Sequence, residues 1–196
     1  EGGWATADIL TGKVNPSGKL PITFPVKAGD TPALAPGHPE RFDGVNERVV
    51  YSEGIFVGYR HYDQNRIAPL YPFGYGLSYT RFAYSGLKVA PTGDGLDVSF
   101  SVKNTGPVAG AEIPQVYVGP PPRAPVPMAV RALAGFSRIE LQPGESSDVS
   151  LHIPRRQLSY WSVEAHDWRL AAGRRPIYVG ASSRDVRLTR SAVVGP

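Results

Sequence analysis

The side chains best suited to chemistry in this sequence are five carboxylates that lie between positions 40 and 63. They are Glu40, Asp43, Glu47, Glu53 and Asp63. Two carboxylates held about 5–5.5 Å apart can act as nucleophile and acid in a hydrolysis. The spacing of these five follows no catalytic pattern. We therefore expect them to be solvated loop charges or partners in local turns.

Other kinds of reactive site find little support. The chain has no cysteine, which excludes disulfides, thiol nucleophiles and thiolate metal sites. Ser78 lacks the second glycine of a nucleophile elbow. The histidines lack the spacing of a His-Glu-x-x-His metal motif, so the sequence predicts no metal and no cofactor. These four histidines are His38, His61, His152 and His166.

The composition indicates a β-rich globular protein. The chain has 196 residues, of which 22 are glycine and 20 are proline, yet 41% are hydrophobic. This apolar content is too high for a disordered chain, and the many turn formers favour short elements joined by tight turns. No run approaches the ~18 apolar residues of a membrane span. Residue 1 is Glu1 rather than methionine, from which we expect a longer parent chain.

The charge distribution gives only a weak indication of nucleic-acid binding. Residues 1–80 carry 7 basic and 8 acidic side chains, whereas residues 81–196 carry 14 and 9. The arginines of the second part are dispersed, and the only adjacent pairs are Arg155-Arg156 and Arg174-Arg175. Solvated strand faces explain such a pattern better than a nucleic-acid surface does.

Residues 1–37 look like the end of a larger unit. Apolar residues from Trp4 to Leu10 predict a short helix that Gly12 ends. Asn15-Pro16-Ser17-Gly18 predicts a turn, and Lys19–Phe24 a short strand. A long surface loop is predicted over 26–50. A helix, a turn and one strand cannot bury a core alone, so this segment needs a partner.

Residues 51–80, here named the strap, are dense in aromatic residues, glycine and proline. We expect a structured segment pinned against a neighbouring domain. Glu53, Arg60 and Asp63 are predicted to form a buried ion-pair network that holds it. Aromatic rings could stack on a sugar, but interface packing is the favoured interpretation. The rings in question are Tyr51, Tyr59, Tyr62, Phe73 and Tyr75.

From Arg81 onward the apolar pattern has a period of two, as in Leu96–Val102 and Asp148–Ile153. About seven strands in 116 residues predict an antiparallel β-sandwich of fibronectin type III-like or immunoglobulin-like shape. Trp161 and Trp168 are placed in its core or at its rim. The remaining predicted elements are strands at Gln115–Val118, Ala132–Phe136 joined with Arg138–Leu141, Trp168–Leu170, Ile177–Ala181 and Val186–Thr189, a turn at Gln142–Glu145, and a helical turn at Arg156–Trp161.

Three ordered stretches resemble the C-terminal portion of glycoside hydrolase family 3 enzymes such as β-glucosidases and β-xylosidases. The stretches are Glu1-Gly2-Gly3 with Asn15–Pro21 and Phe24-Pro25, Glu53-Gly54-Ile55 with Gly58-Tyr59-Arg60 and Tyr62-Asp63, and Pro72–Thr80. The sandwich is similar to the fibronectin type III-like domain that ends many of these enzymes. The resemblance covers essentially the whole chain.

The resemblance implies a division into three parts. Residues 1–37 would be the C-terminal remnant of an α/β sandwich domain, residues 38–80 the loop and strap, and residues 81–196 the terminal β-sandwich. The parent would be a retaining exo-acting β-glycosidase. Its Asp nucleophile, on a (β/α)8 barrel, and its Glu acid/base would lie upstream, so no catalytic residue is expected here.

The resemblance also carries secondary expectations. Glu1 is assigned to the positive end of the following helix rather than to catalysis. The expected partners are the upstream barrel and α/β domains and a β-linked oligosaccharide or aryl glycoside. Export to the periplasm or the extracellular space is expected. The competing hypothesis is a stand-alone carbohydrate- or protein-binding module without catalysis.

Overall fold

The computed structural model describes residues 2–195. Its helices are α1 (Gly2–Leu10) and α2 (Tyr59–Gln64), with 3-10 turns at Ala28–Asp30 and Arg155–Leu158. Its strands are β1 (Phe82–Pro91), β2 (Gly95–Asn104), β3 (Gly110–Glu112), β4 (Gln115–Val118), β5 (Ala132–Phe136), β6 (Ile139–Leu141), β7 (Ser146–Pro154), β8 (Ser159–Ser162), β9 (Asp167–Leu170), β10 (Gly173–Gly180) and β11 (Val186–Val194). None of the helices within residues 2–195 is long and apolar enough to cross a membrane.

Seven of the strands form the two sheets of a sandwich, and every pairing is antiparallel. One sheet has the order β1-β2-β7 and the other β11-β10-β4-β5. Two further pairs, β3-β6 and β8-β9, lie outside these sheets. The predicted antiparallel sandwich is therefore confirmed.

The core forms where the alternating residues of the two sheets meet. In β2 the apolar residues Leu96, Val98, Phe100 and Val102 are buried, while the polar residues between them are exposed or half-buried. Each such side chain contributes about 1.5–3 kcal/mol when fully buried. They pack in one cluster with β4 and β10 residues such as Ile177. The period of two in the sequence thus predicts the buried face correctly.

The N-terminal segment departs from its prediction. α1 ends as expected, with Gly12 at a φ of +78°, but no turn forms at Asn15–Gly18. The predicted strand at Lys19–Phe24 is reduced to a single bridge between Phe24 and Tyr71. Pro21 lacks an N–H group, so it cannot extend this pairing as a regular ladder.

Three other elements also differ from the sequence pattern. The predicted single strand at 132–141 is two strands, because Ser137 turns away to donate to the carbonyl of Pro114 and β6 pairs with β3. The predicted helical turn at 156–161 ends at Leu158, where β8 follows. Helix α2 is unpredicted, since six residues are too few to show a 3.6-residue period.

Candidate functional site

The five candidate carboxylates do not come together as a catalytic pair. Asp43 and Glu47 are exposed, and Asp63 faces the sandwich. Glu40 accepts a hydrogen bond from the Ser52 hydroxyl at 2.6 Å, and this bond is the largest cause that lowers the pKa of Glu40 to about 2. A carboxyl group with so low a pKa is a poor proton donor at neutral pH. The absence of catalytic residues stays a prediction.

Asp63 is the centre of the contact between strap and sandwich. It lies on α2, and its side chain is only 1% exposed. Its Oδ1 is 3.1 Å from Nη2 of Arg131 and 2.9 Å from Nε of Arg184. Arg131 precedes β5, and Arg184 lies in the loop between β10 and β11. One buried carboxylate therefore ties the strap to two loops of the sandwich.

The predicted network of Glu53, Arg60 and Asp63 is wrong. The guanidinium of Arg60 lies 5.9 Å from the ring centre of Tyr59. Glu53 instead faces Arg41, with 3.8 Å between Oε2 and Nε. The partners of Asp63 come from 68 and 121 positions further along the chain, a distance at which local spacing gives no signal.

The strap aromatics pack mainly against one another and the sandwich. Tyr59 stacks on Phe73 with 4.8 Å between ring centres and meets Tyr117 of β4 edge-on at 6.0 Å. The Tyr59 hydroxyl also accepts a hydrogen bond from the backbone N–H of Leu133 at 2.9 Å. Tyr51 is different, because it is 79% exposed. These contacts agree with the favoured interpretation that the strap aromatics pack in an interface. Tyr51 is the exception, because it does not pack there.

Gly74 allows the strap to approach β4 closely. The buried Gln115 amide donates to the carbonyls of Gly74 at 3.1 Å and Ala181 at 3.0 Å. Gly74 has a φ of +80°, and a Cβ there would overlap the Gln115 side chain. Gln115 cannot yield easily, since the Tyr117 hydroxyl also donates to it.

Replacing Gly74 by alanine is therefore expected to destabilise the chain by about 2 kcal/mol, from backbone strain together with steric overlap. Urea unfolding would measure the change. A matched replacement at Gly93, where a Cβ meets no atom within 4 Å and φ is not positive, should be nearly neutral. Equal effects at the two positions would contradict the close approach.

Sequence reasoning missed the docking role of Asn15. Its Oδ1 accepts hydrogen bonds from the backbone N–H of Tyr79 at 2.8 Å and the hydroxyl of Ser78 at 3.1 Å. Its Nδ2 donates to the carbonyl of Ala109 at 2.9 Å. The side chain thus joins the N-terminal segment to the strap and to the sandwich. From the sequence, Asn15 is predicted only to lie in a local turn, and nothing in the sequence indicates its contacts with the strap and the sandwich.

Within residues 2–195, two of the four histidines contact a carboxylate. His38 lies 3.1 Å from Glu40, and Nδ1 of His152 lies 2.8 Å from Asp97 on the sandwich surface. His166 is exposed at the tip between β8 and β9. Within residues 2–195, no group of three or more histidine or acidic side chains is arranged to hold a metal ion.

His61 gives the strap a pH dependence. It is buried on α2, and burial lowers its pKa below the ordinary 6.5; Arg41 lowers it further, while Glu53 and Asp30 oppose the shift. The unfolded chain then takes up a proton at a higher pH than the folded chain. The stability that neutral, buried His61 contributes is fully present above about pH 6.5. It is lost as the pH falls through the pKa that His61 has in the folded chain.

Between pH 7.5 and pH 5, we therefore expect the His61→Gln variant to lose less of its free energy of unfolding than the wild type. The exposed His166→Gln should keep the wild-type slope. Denaturant unfolding at a series of pH values measures all three proteins. If His61→Gln and the wild type showed the same dependence of unfolding free energy on pH, the assignment to His61 would be wrong.

The two tryptophans lie at the rim rather than in the core. Trp161 and Trp168 face each other across β8 and β9 with 5.7 Å between ring centres, and both are partly exposed. The guanidinium of Arg156 lies 3.9 Å from the ring centre of Trp168.

Residues 2–57 expose many large apolar side chains, which together form an extensive apolar surface. α1 has no buried residue, and Trp4 is 80% exposed. Glu1, expected at the start of this helix, lies outside the described residues. Exposed apolar patches of unusual extent indicate an interaction surface. Its large side chains are Trp4, Ile9, Leu10, Val14, Ile22, Phe24, Val26, Leu34, Phe42, Val45, Val49, Val50, Tyr51, Ile55 and Val57.

Comparison with known families matches both parts of the chain. Residues 1–59 match the glycosyl hydrolase family 3 C-terminal domain, and residues 112–183 match the fibronectin type III-like domain. The chain is thus similar to the C-terminal part of glycosyl hydrolase family 3 proteins. The resemblance carried by the three sequence stretches is thereby confirmed.

The relatives of this chain are much longer proteins. It is 43% identical to the thermostable beta-glucosidase B of Acetivibrio thermocellus, over 98% of this chain and 25% of that protein. It is 42% identical to beta-glucosidase B of Emericella nidulans, over 95% of this chain and 23% of that protein. The chain thus spans about a quarter of the length of these relatives.

Solved structures of beta-glucosidases share its fold. DesR, a beta-glucosidase from Streptomyces venezuelae in complex with D-glucose, superposes with a TM-score of 0.93 at 40% identity, covering 97% of this chain and 24% of that one. Beta-glucosidase 3B from Thermotoga neapolitana gives 0.87 at 44% identity, covering 97% and 26%. The strap and sandwich therefore have close counterparts within larger enzymes.

Proposed function

We propose that this chain is the C-terminal part of a retaining exo-acting β-glycosidase that removes terminal β-linked glucose. The observation that carries the proposal is the match of both parts of the chain to proteins named beta-glucosidases. β-Xylosidase activity is the nearest alternative within the same family. In the double displacement of a retaining enzyme, one carboxylate attacks the sugar and a second acts as acid and then base. We assign both groups to the upstream barrel and α/β domains.

In this proposal the chain supports the catalytic domains. The exposed apolar surface of residues 2–57 contacts the upstream domains, which remove it from water. The strap then transmits this contact to the sandwich through Asp63 and the stacked rings of Tyr59 and Phe73. Removing apolar area from water contributes roughly 25 cal/mol per Å², so such a surface can hold two domains together.

A stand-alone binding module is the second candidate. The exposed pair Trp161 and Trp168 favours it, since exposed aromatic rings can serve as contact surfaces. It leaves the larger apolar surface around Trp4 and Tyr51 without a role. Binding of cello-oligosaccharides by residues 81–196 alone at micromolar concentration would favour the module.

The activity test compares two proteins on nitrophenyl β-glucoside. We expect turnover by the polypeptide that carries the upstream domains and none by the 196-residue chain. Nitrophenyl β-xyloside tests the alternative sugar in the same assay. Turnover of neither substrate by the longer polypeptide would remove the proposal.

We also propose that the parent is exported to the periplasm or the extracellular space, on the basis of the family resemblance. Cell fractionation of the native host, followed by activity measurement, tests this. Activity confined to the cytoplasmic fraction would contradict it.

A further inference from the structure

A groove of about 490 Å³ lies on the outer face of the sheet that contains β10. Its floor carries Pro176 and Tyr178, which alternate along β10 with buried residues. The start of the loop between β4 and β5 forms one wall, and Ser191 of β11 borders the other side. This volume falls within the range of small-molecule pockets, roughly 300–1,000 Å³. The groove therefore has room for a small ring compound.

The wall beside the floor is held firmly against β10. It consists of the run Pro120-Pro121-Pro122, in which each ring fixes its own φ angle. The backbone N–H of Gly119 donates to the carbonyl of Pro176 at 2.8 Å, and the carbonyl of Gly119 accepts from the buried Arg175 at 2.6 Å. Because this wall is already ordered, a ligand that binds there pays little conformational entropy.

Arg174 is the only charged side chain among the described residues that line the groove. It is exposed, and its guanidinium pairs with no carboxylate within residues 2–195. Arg131 differs, because its guanidinium lies 5.8 Å from the ring centre of Tyr178 but is paired with Asp63. A guanidinium matches a carboxylate in charge and in its planar arrangement of two donors. The groove therefore favours a ligand that carries one carboxylate.

Apart from Arg174 and Ser191, the lining is made of proline rings, the Tyr178 ring and the methyl groups of Val130. Val130 is 39% exposed, so a ligand that covers it removes apolar surface from water. Aromatic and proline rings present flat apolar faces on which an aromatic ring can pack. These observations point to a ligand with an aromatic body.

We propose that this groove binds a small aromatic monocarboxylate, with its ring over Pro176 and Tyr178 and its carboxylate on Arg174. The affinity should be modest, with a dissociation constant on the order of millimolar, because such a ligand has few atoms and the groove is open to solvent. This site goes beyond the proposed hydrolase function, since it needs no turnover and its residues all lie within the chain.

The experiment titrates the isotope-labelled 196-residue chain with naphthoate and follows backbone amide shifts by NMR. We expect saturable shifts at Val130, Arg174 and Ser191 at millimolar naphthoate. Neutral naphthylmethanol should bind about fivefold more weakly, and cationic naphthylmethylamine more weakly still. Because binding is read without hydrolysis, its failure would leave the activity proposal untouched.

Three variants separate the charge of the groove from its apolar lining. Arg174→Gln should weaken naphthoate binding about fivefold and leave naphthylmethanol binding unchanged. Arg169→Gln is the matched control, because Arg169 is exposed on β9 and does not line the groove; it should bind both compounds as the wild type does. Val130→Ser should weaken the binding of both compounds about threefold, through lost apolar contact.

Several results would overturn the proposal. They are shifts confined to residues 2–57, equal affinity for naphthoate and naphthylmethanol, or unchanged naphthoate affinity in Arg174→Gln. Loss of binding in the polypeptide that carries the upstream domains would show that the groove is a contact between domains instead. A dimer of the 196-residue chain that Val130→Ser dissociates would assign the groove to a second copy of the chain.

Discussion

Replacing Asp63 by alanine is expected to lower the free energy of unfolding by about 3 kcal/mol. Removing one partner of a buried ion pair typically costs about 3–5 kcal/mol, since the remaining charge stays buried and unpaired. Arg131 and Arg184 keep side-chain exposures of 19% and 34%. Partial hydration of these arginines places the loss at the lower end of that range.

Denaturant unfolding of the 196-residue chain measures this effect. Asp43→Ala is the matched control, because that carboxylate is exposed and should change stability by no more than about 0.5 kcal/mol. A double-mutant cycle with Arg131→Met isolates the pair. If Asp63→Ala were as mild as the control, Asp63 would not be the anchor of the strap.

The second large effect is expected at Arg175, which is only 2% exposed. Its guanidinium donates to the carbonyls of Gly119 at 2.6 Å and of Leu158 and Ala171 at 3.0 Å each. The carbonyls of Leu158 and Ala171 flank the β8-β9 hairpin, so this one side chain fixes the base of the hairpin. Burial lowers the pKa of Arg175 to about 10, which leaves it charged at neutral pH.

Arg175→Ala should cost about 3–4 kcal/mol, from a cavity together with the lost charge-assisted hydrogen bonds. Arg175→Lys should cost about 2 kcal/mol, because an ammonium group cannot reproduce the planar fork. The neighbouring Arg174→Ala is the control, since Arg174 is exposed. Thermal unfolding distinguishes the three variants. A lysine variant as stable as wild type would refute the geometric role of the guanidinium.

The sequence predicted the structure best where the alternation of apolar and polar residues lies within a single strand. The alternation in β2 and β7 identified the buried faces because strand side chains alternate between core and solvent. The same rule could have found Arg175, which shares a face of β10 with Ile177 and Val179. The adjacent pair Arg174-Arg175 was instead interpreted only as surface charge.

The contacts of the strap could not be predicted in the same way. Asp63 finds its arginines in two distant loops, and Asn15 meets the strap 64 positions further along the chain. Such contacts depend on how folded elements pack against one another. The period of apolar residues within one element carries no information about that packing. Pro21 explains the wrong strand prediction at Lys19–Phe24, because a residue without an N–H group cannot extend the pairing there.

In the proposed function, this chain supports a hydrolase whose reacting groups lie elsewhere in the polypeptide. The most direct measurement is the rate of nitrophenyl β-glucoside hydrolysis by the polypeptide with its upstream domains, by that polypeptide carrying Asp63→Ala, and by the 196-residue chain alone. We predict turnover by the first, a shorter thermal half-life of activity in the second, and none in the third. Robust turnover by a clean preparation of the 196-residue chain would contradict the account.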